Sequence, residues 1–313
     1  MDPRDRFIER VDLAKTRVRA FEGFVFLCGG PQGKDPVPLR SVRHMLYNEL
    51  TSGRHSDVAA RLKLAEEIQD WFRDGTYRDL LTFEEHLAGL SAVIVLVVES
   101  PGAVAELGAF SMSDAFLDRL LVLVASVHYE AESFIRLGPI KRIENFAEDN
   151  VLVYDWHERD FSGRAVERYD HLEPHIGEVV EAIKKFTAPS TSERVFKPKE
   201  SSHVMFLICE LCDLFGALSR SEIAKYLDRL SLPLEHEVVA RYLFLLEKCD
   251  LLRLKAHGHG RYYYAVDWTS RISFGFNPGE HINKDRVRVD VASFYERDLR
   301  SRHEVLRKLG GAG

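Results

Sequence analysis

Glu106 is the residue whose type and position in this sequence most favour chemistry. It lies about one turn into a predicted helix that follows the tetrapeptide ESPG at 99–102. Ser100 can cap that helix, and Pro101 suits its first turn because proline lacks the amide hydrogen that has no partner there. Helical side chains lean toward the helix N-terminus, and Gly102, one turn earlier, has no side chain to obstruct Glu106. The pattern predicts an accessible carboxylate that the positive end of the helix keeps ionised.

The strand predicted before this turn places Glu106 where ligands bind. Seven apolar residues, most of them β-branched, run from Ala92 to Val98. Such a run is typical of a strand buried on both faces in a parallel sheet. Open α/β sheets bind ligands beyond the carboxyl ends of their strands. We therefore interpret Glu106 as a candidate site residue; the alternative is an ordinary helical acid paired with a neighbouring arginine.

Length and composition are those of a globular protein with room for two domains. The chain has 313 residues, of which 45% are hydrophobic and 29% charged,. Its charged N-terminus does not resemble a signal peptide, and its longest apolar runs, Ala92–Val98 and Leu120–Val127, are too short to cross a bilayer,. The four cysteines have neither disulfide nor zinc spacing. We expect buried thiols, no metal site and a reducing, cytoplasmic location.

The first part of the chain, residues 1–186, alternates predicted strands and helices. This alternation predicts an α/β fold with a doubly wound, flavodoxin-like parallel sheet. The segment Val58–Leu64 fits a strand or a helix equally well. A polar stretch rich in Ser and Pro at 187–202 predicts a linker. The other predicted strands are Gly23–Cys28, Ala92–Val98, Asp118–Val127 and Val151–Tyr154.

Residues 203–270 have a different pattern, three predicted helices followed by a hairpin. This order is that of a C-terminal winged helix-turn-helix domain, and an extension at 271–313 ends in a predicted helix over Asp290–Leu309. The net charge of the chain is −6, but residues 201–313 carry 17 basic and 15 acidic side chains, which favours the C-terminal part as the nucleic-acid face. The hairpin tip offers groups that suit a phosphate backbone, although a protein partner fits equally well. These groups are Lys255, His257, His259 and Arg261.

Three segments resemble known families. ESPG followed by ELGAF at 106–110 resembles the active-site segment of the nucleoside 2-deoxyribosyltransferase-like superfamily. With FLCGG at 26–30 and LLTFEEHLA at 80–88, the chain is more similar to the effectors encoded beside certain retron reverse transcriptases, which join such a domain to a winged-helix-type domain. The motifs cover residues 22–156. The turn departs from the Asp-x-Gly-Thr of the transferases, so Glu99 replaces a ribose-contacting aspartate or that contact is lost.

The resemblance implies roles for individual residues. Glu106 matches the catalytic nucleophile, and residues 1–186 match the nucleoside deoxyribosyltransferase-like catalytic domain. The glycine loops and neighbouring acids match segments that line a nucleotide pocket, and arginines near the start of the second helix suit a phosphate. The candidate substrate-binding residues are Cys28, Gly29, Gly30, Arg43, Glu66, Glu84, Glu99, Ser100, Pro101 and Gly102.

The chemistry expected of this site is cleavage of an N-glycosidic bond by a carboxylate. A neutral nucleobase needs a proton from a general acid as it leaves, whereas the cationic nicotinamide of NAD leaves neutral without one. The segments provide no evident histidine for that role, which favours NAD as substrate and no cofactor; Glu99 is the alternative acid for a nucleobase. The resemblance likewise implies a toxin that depletes NAD in antiphage defence. It implies silencing by a reverse transcriptase with its DNA–RNA product, and homo-oligomers or filaments.

Two other functions fit the sequence. One is a nucleotide-sensing domain without catalysis, fused to a DNA-binding regulator. The other is a nucleoside deoxyribosyltransferase of salvage, although salvage requires no winged-helix appendage.

Overall fold

The protein is described by a computed structural model over residues 2–19, 23–67, 75–159, 161–162, 165–188, 192–258, 260–266 and 268–310. The chain forms two compact units. The sheet unit comprises Phe21–Gln69 and Phe83–Ser190, and the terminal unit comprises Met1–Ala20, Asp70–Thr82 and Thr191–Gly313. No described helix is both long enough and apolar enough to span a membrane.

The described strands and helices are numbered separately along the chain. The strands are β1 (Arg17–Arg19), β2 (Phe24–Cys28), β3 (Leu62–Lys63), β4 (Ser91–Val98), β5 (Leu120–Ala125), β6 (Val151–Tyr154), β7 (His157–Arg159), β8 (Ala165–Glu167), β9 (Glu193–Val195), β10 (Leu252–His257), β11 (Gly260–Ala265) and β12 (Ile272–Ser273). The helices are α1 (Pro3–Ile8), α2 (Val42–Thr51), α3 (Ser56–Ala59), α4 (Leu80–Gly89), α5 (Pro101–Ser111), α6 (Ser126–Tyr129), α7 (Lys141–Phe146), α8 (Ile176–Thr187), α9 (Ser201–Phe215), α10 (Arg220–Arg229), α11 (His236–Lys248), α12 (Lys284–Asp298) and α13 (Arg300–Gly310).

The sheet unit is built on a five-stranded sheet in the order β3-β2-β4-β5-β6. All neighbouring pairs are parallel, which confirms the predicted parallel sheet. This order is one of the two common orders of doubly wound sheets, and ligands bind where it reverses, between the first and third strands. That point lies between β2 and β4. The ambiguous segment Val58–Leu64 contributes both kinds of element, the end of α3 and then β3.

β4 is the middle strand of the sheet, and both of its faces are covered. Its residues are buried except for Ala92, which is half-buried. On one face, Val25 and Leu27 of β2 pack in the same core as residues of α2 and α8. On the other face, Phe26 of β2 meets Phe110 of α5, with ring centroids 6.4 Å apart. Each such fully buried side chain contributes about 1.5–3 kcal/mol, so the sheet holds α5 firmly over its carboxyl edge.

The terminal unit joins the two ends of the chain. β1 pairs antiparallel with both β9 and β12, so residues 2–19 fold with the C-terminal part. This arrangement differs from the domain boundaries that the sequence predicts. The stretch 187–202 predicted as a linker contains β9 and the beginning of α9, because short strands acquire their hydrogen bonds from partners far away in the chain.

The C-terminal elements begin with three helices and a hairpin. α9, α10 and α11 precede the antiparallel pair β10-β11, and Ser219 and Glu222 form the predicted capping box of α10. The predicted final helix over Asp290–Leu309 is helical throughout except at Leu299, where it is interrupted. Two helices, α12 and α13, occupy the region, because Leu299 has φ −135° and ψ 60°, outside the helical range.

Candidate active site

α5 begins as the sequence predicts. Ser100 is its N-cap, and its Oγ accepts a hydrogen bond from the amide of Ala103 at 3.1 Å, with Pro101 as the first helical residue. A Cβ added to Gly102 would meet nothing closer than the Oγ of Ser100, at 3.8 Å. The first turn of α5 therefore leaves open space on the side where Gly102 lies.

The Glu106 side chain is half-buried, and no described residue forms an ion pair with its carboxylate. Its Oε2 is inaccessible to solvent and receives no hydrogen bond from the described residues. Burial raises its pKa above the ordinary value; the positive charge of Arg43 opposes that rise, and the negative charge of Glu66 adds to it. The alternative of an ordinary helical acid requires an arginine partner, and no described arginine forms an ion pair with Glu106.

Glu84 is a second acid of this cluster. It lies on α4, is only 7% exposed, and has a pKa raised to about 7 by burial and by the charges of Glu106 and Glu66. A carboxyl group with this pKa can donate a proton near neutral pH. The sequence interpretation missed this acid role. Its signal was the spacing, since Glu84 adjoins Phe83 and precedes Leu87 by three residues, both of which are fully buried.

Arg43 ties the first βα loop to the sheet. Its Nε donates to the carbonyl of Leu27 at 3.1 Å, and one terminal nitrogen donates to the carbonyl of Gly30 at 3.2 Å. The other lies 2.8 Å from a carboxylate oxygen of Glu66. All its terminal groups thus have partners, and its charge acts on Glu106 from a fixed position.

Glu99 organises the same loop. Its carboxylate accepts three backbone hydrogen bonds, from Gly30 at 3.0 Å, Val42 at 2.7 Å and Arg43 at 2.9 Å. Two of these amides belong to the first turn of α2, where the helix favours a negative charge. Burial still raises the pKa of Glu99 against these three hydrogen bonds. Both oxygens are engaged, so the observed role of Glu99 is to join the ends of β2 and β4.

The Gly29-Gly30 turn allows this close approach. Gly29 has φ +148°, and a Cβ there would lie 3.0 Å from the Cβ of Val97. A Cβ on Gly30 would lie 2.8 Å from Oε1 of Glu99. The adjacent thiol of Cys28 is buried, and burial together with the charges of Glu106 and Glu84 raises its pKa well above the ordinary value. Cys28 is therefore a neutral group in this cluster.

The predicted pocket residues lie along two sides of α5. Cys28, Arg43, Glu66 and Glu84 share the electrostatic environment of Glu106. By contrast, the ESP part of the turn lines a separate cavity of about 260 Å³ in the sheet unit. That cavity includes His128, which the sequence interpretation missed although it closely follows the buried strand β5. The lining residues are Val98, Glu99, Ser100, Pro101, Val104, His128 and Ile135.

The basic groups predicted at the hairpin tip do not form one surface. Lys255 pairs across the strands with Tyr262, whereas Arg261 pairs with Ala256. Consecutive residues of a strand alternate between its two faces, and residues paired across strands share a face. Lys255 and Arg261 therefore lie on opposite faces of the hairpin. His257 contacts a carboxylate oxygen of Glu304 on α13 at 3.0 Å. His259 lies outside the described residues.

Comparisons with known proteins identify relatives of this chain. The profile of a family described as "STM3845 retron effector protein" matches residues 39–254. Two curated Escherichia coli proteins, provisionally named as ribosyltransferase/DNA-binding proteins of retrons Ec86 and Ec73, are 34% and 30% identical over 129 and 120 residues. These matches cover 41% and 38% of this chain and 39% and 37% of the two relatives. The chain therefore spans about two fifths of the curated relatives that it matches.

Proposed function

Because this chain belongs to the STM3845 retron effector family, we propose that it cleaves the N-glycosidic bond of NAD or a related nucleotide as the toxin of a retron antiphage system. The observation that carries this proposal is the half-buried Glu106 on the helix that follows β4, whose inaccessible Oε2 receives no hydrogen bond from the described residues. The provisional ribosyltransferase names of two relatives support the same class of bond.

Glu106 acts as the nucleophile in this proposal. Its oxygen forms a bond to C1 of the ribose while the C1–N bond breaks, and the electron pair of that bond leaves with the base. The positive charge on nicotinamide is neutralised in this step, so NAD requires no proton donor. Water then attacks C1 and releases Glu106, with overall retention of configuration.

Glu84 supplies proton transfer. For a neutral nucleobase, protonated Glu84 donates to the departing nitrogen; ionised Glu84 then accepts a proton from the attacking water. Two neighbouring acids in different environments are a common arrangement for splitting these roles. Arg43, Glu66 and Glu99 act indirectly, since they position the loop that follows β2.

The terminal unit contributes the proposed regulation. We assign α9, α10, α11 and the β10-β11 hairpin to a winged helix-turn-helix domain, on the basis of their order along the chain. This domain docks the reverse transcriptase with its DNA–RNA product, and the assembly keeps the enzyme inactive. The DNA-binding part of the relatives' names supports this assignment. We further propose that the effector assembles as a homo-oligomer or filament.

The test measures nicotinamide release from NAD by the chain alone and by the complex with its reverse transcriptase and DNA–RNA product. The expected result is release by wild type, loss in Glu106→Gln and retention in Glu85→Gln, a matched change at an exposed acid next to Glu84. If neither free nor assembled wild type releases nicotinamide or a nucleobase, the enzyme proposal fails. Tight nucleotide binding without turnover would instead support the sensing module.

A further inference from the structure

α5 separates the acidic cluster around Glu106 from a cavity on another side of the helix. Glu106 and Val104 are two residues apart, which is about 200° around a helix, so they lie on different sides of α5. Glu106 interacts electrostatically with Cys28 of β2 and Glu84 of α4. Val104 lines the 260 Å³ cavity together with His128, which follows β5.

The cavity beside Val104 suits one aromatic ring system. Its volume of about 260 Å³ is just below the range of roughly 300–1,000 Å³ that holds drug-sized ligands. Val98, Val104 and Ile135 supply apolar walls. His128 stands at the rim, and its pKa is lowered by burial and by the neighbouring His157, whose ring centroid is 5.8 Å away. A neutral imidazole can stack on a nucleobase.

A ligand that reaches both Glu106 and the cavity must extend around α5. A helix with its side chains is about 10 Å wide, so the two ends of such a ligand are a helix width apart. Gly102 in the first turn of α5 presents no side chain to obstruct it. Two nucleotides joined by a pyrophosphate have the length and flexibility to extend in this way.

We propose that the cavity lined by Val98, Val104 and His128 is a subsite for the second, non-reacting base of a dinucleotide whose reacting ribose lies against Glu106. This inference rests on the proposed function and sharpens it, because it selects dinucleotides over mononucleotides as the substrate class. Binding of the remote base provides energy that can position the reacting ribose.

The test fills the subsite and compares a dinucleotide with its reacting half. Val104→Trp occupies the cavity, His128→Ala removes the stacking ring, and Ala105→Trp is the control, an equally large change at an exposed position of the same helix. Binding of NAD and of nicotinamide mononucleotide is measured by calorimetry in the Glu106→Gln background. Values of kcat/KM for both substrates are measured with Glu106 intact.

The expected result is selective loss for the dinucleotide. Val104→Trp lowers the affinity and kcat/KM for NAD at least tenfold, and His128→Ala lowers them about threefold. In both variants the values for nicotinamide mononucleotide change less than twofold. Ala105→Trp changes the values for neither ligand. Equal losses for both ligands, unchanged NAD binding in Val104→Trp, or no NAD binding to Glu106→Gln would overturn the subsite. Failure of wild type to cleave either substrate would overturn the proposed function, and the binding comparison reports on the subsite separately.

Discussion

Glu222 of the terminal unit and the pair Glu84 and Glu106 of the sheet unit have opposite electrostatics. In the terminal unit, Glu222 lies 2.8 Å from a guanidinium nitrogen of Arg4 and 2.6 Å from one of Arg302, and it accepts the amide of Ser219 at 3.0 Å. Its pKa falls to about 2 because these partners outweigh burial. In the sheet unit, burial dominates, and the pKa values of Glu84 and Glu106 rise. A compensated carboxylate stabilises the fold, whereas an uncompensated one keeps free energy available for chemistry.

Removing the charge of Glu106 is expected to have the largest effect on activity. We expect Glu106→Gln to lower kcat by about 10⁴-fold or more, as for the loss of other nucleophiles. Its free energy of unfolding should stay the same or rise, since an uncompensated buried charge is removed. Steady-state kinetics and urea unfolding of one preparation test both expectations. A large loss of stability would mean that Glu106 is a structural acid.

The same substitution at Glu222 should lower stability and leave activity unchanged. Glu222→Gln breaks a largely buried charge network, so we expect the free energy of unfolding to fall by about 3 kcal/mol while kcat/KM per folded molecule is unchanged. The folded pKa of about 2 lies below the unfolded value near 4.5, so this stabilisation is present above pH 4.5 and is lost as the pH falls toward 2. Unfolding curves at pH 7 and pH 3 should show the difference shrinking; a constant difference would contradict the ionic origin.

Glu84→Gln distinguishes the two kinds of leaving group. For a nucleotide with a neutral base, we expect kcat to fall about 10²-fold and wild-type activity to decline as the pH rises through about 7, where Glu84 loses its proton. NAD should show a smaller loss and no such decline. pH–rate profiles of wild type, Glu84→Gln and Glu85→Gln make the comparison. Equal effects on both substrates would remove Glu84 from proton donation.

The raised pKa of Glu84 should also make the free energy of unfolding depend on pH. The folded pKa of about 7 exceeds the unfolded value near 4.5, so ionisation of Glu84 costs folding free energy increasingly between these two pH values. We expect Glu84→Gln to gain about 3 kcal/mol relative to wild type between pH 4 and pH 8. Thermal or urea unfolding across this range measures the gain, and a difference that does not change with pH would contradict it.

The elements that could be predicted are those determined locally. The apolar run before the ESPG turn produces β4, and Ser100 and Pro101 start α5 where their backbone preferences require. β1 could not be predicted, because Arg17 finds its partner Val195 far along the chain. For the same reason the sequence marks Glu99 as a site acid but cannot show that Gly30 and Val42 satisfy it.

The pKa of Glu84 likewise depends on packing. Sequence places an acid on a helix, and only the fold buries this acid and brings the charges of Glu106 and Glu66 close enough to raise its pKa further.

The most direct test of the nucleophile is to trap the glycosyl-enzyme. A substrate analogue with an electron-withdrawing 2-fluoro substituent slows attack by water on the intermediate, so the enzyme is quenched after mixing and its peptides are analysed by mass spectrometry. We expect a ribosyl adduct on the peptide containing Glu106, absent in Glu106→Gln and present in Glu85→Gln. Turnover with no adduct, or an adduct on a different residue, would contradict it.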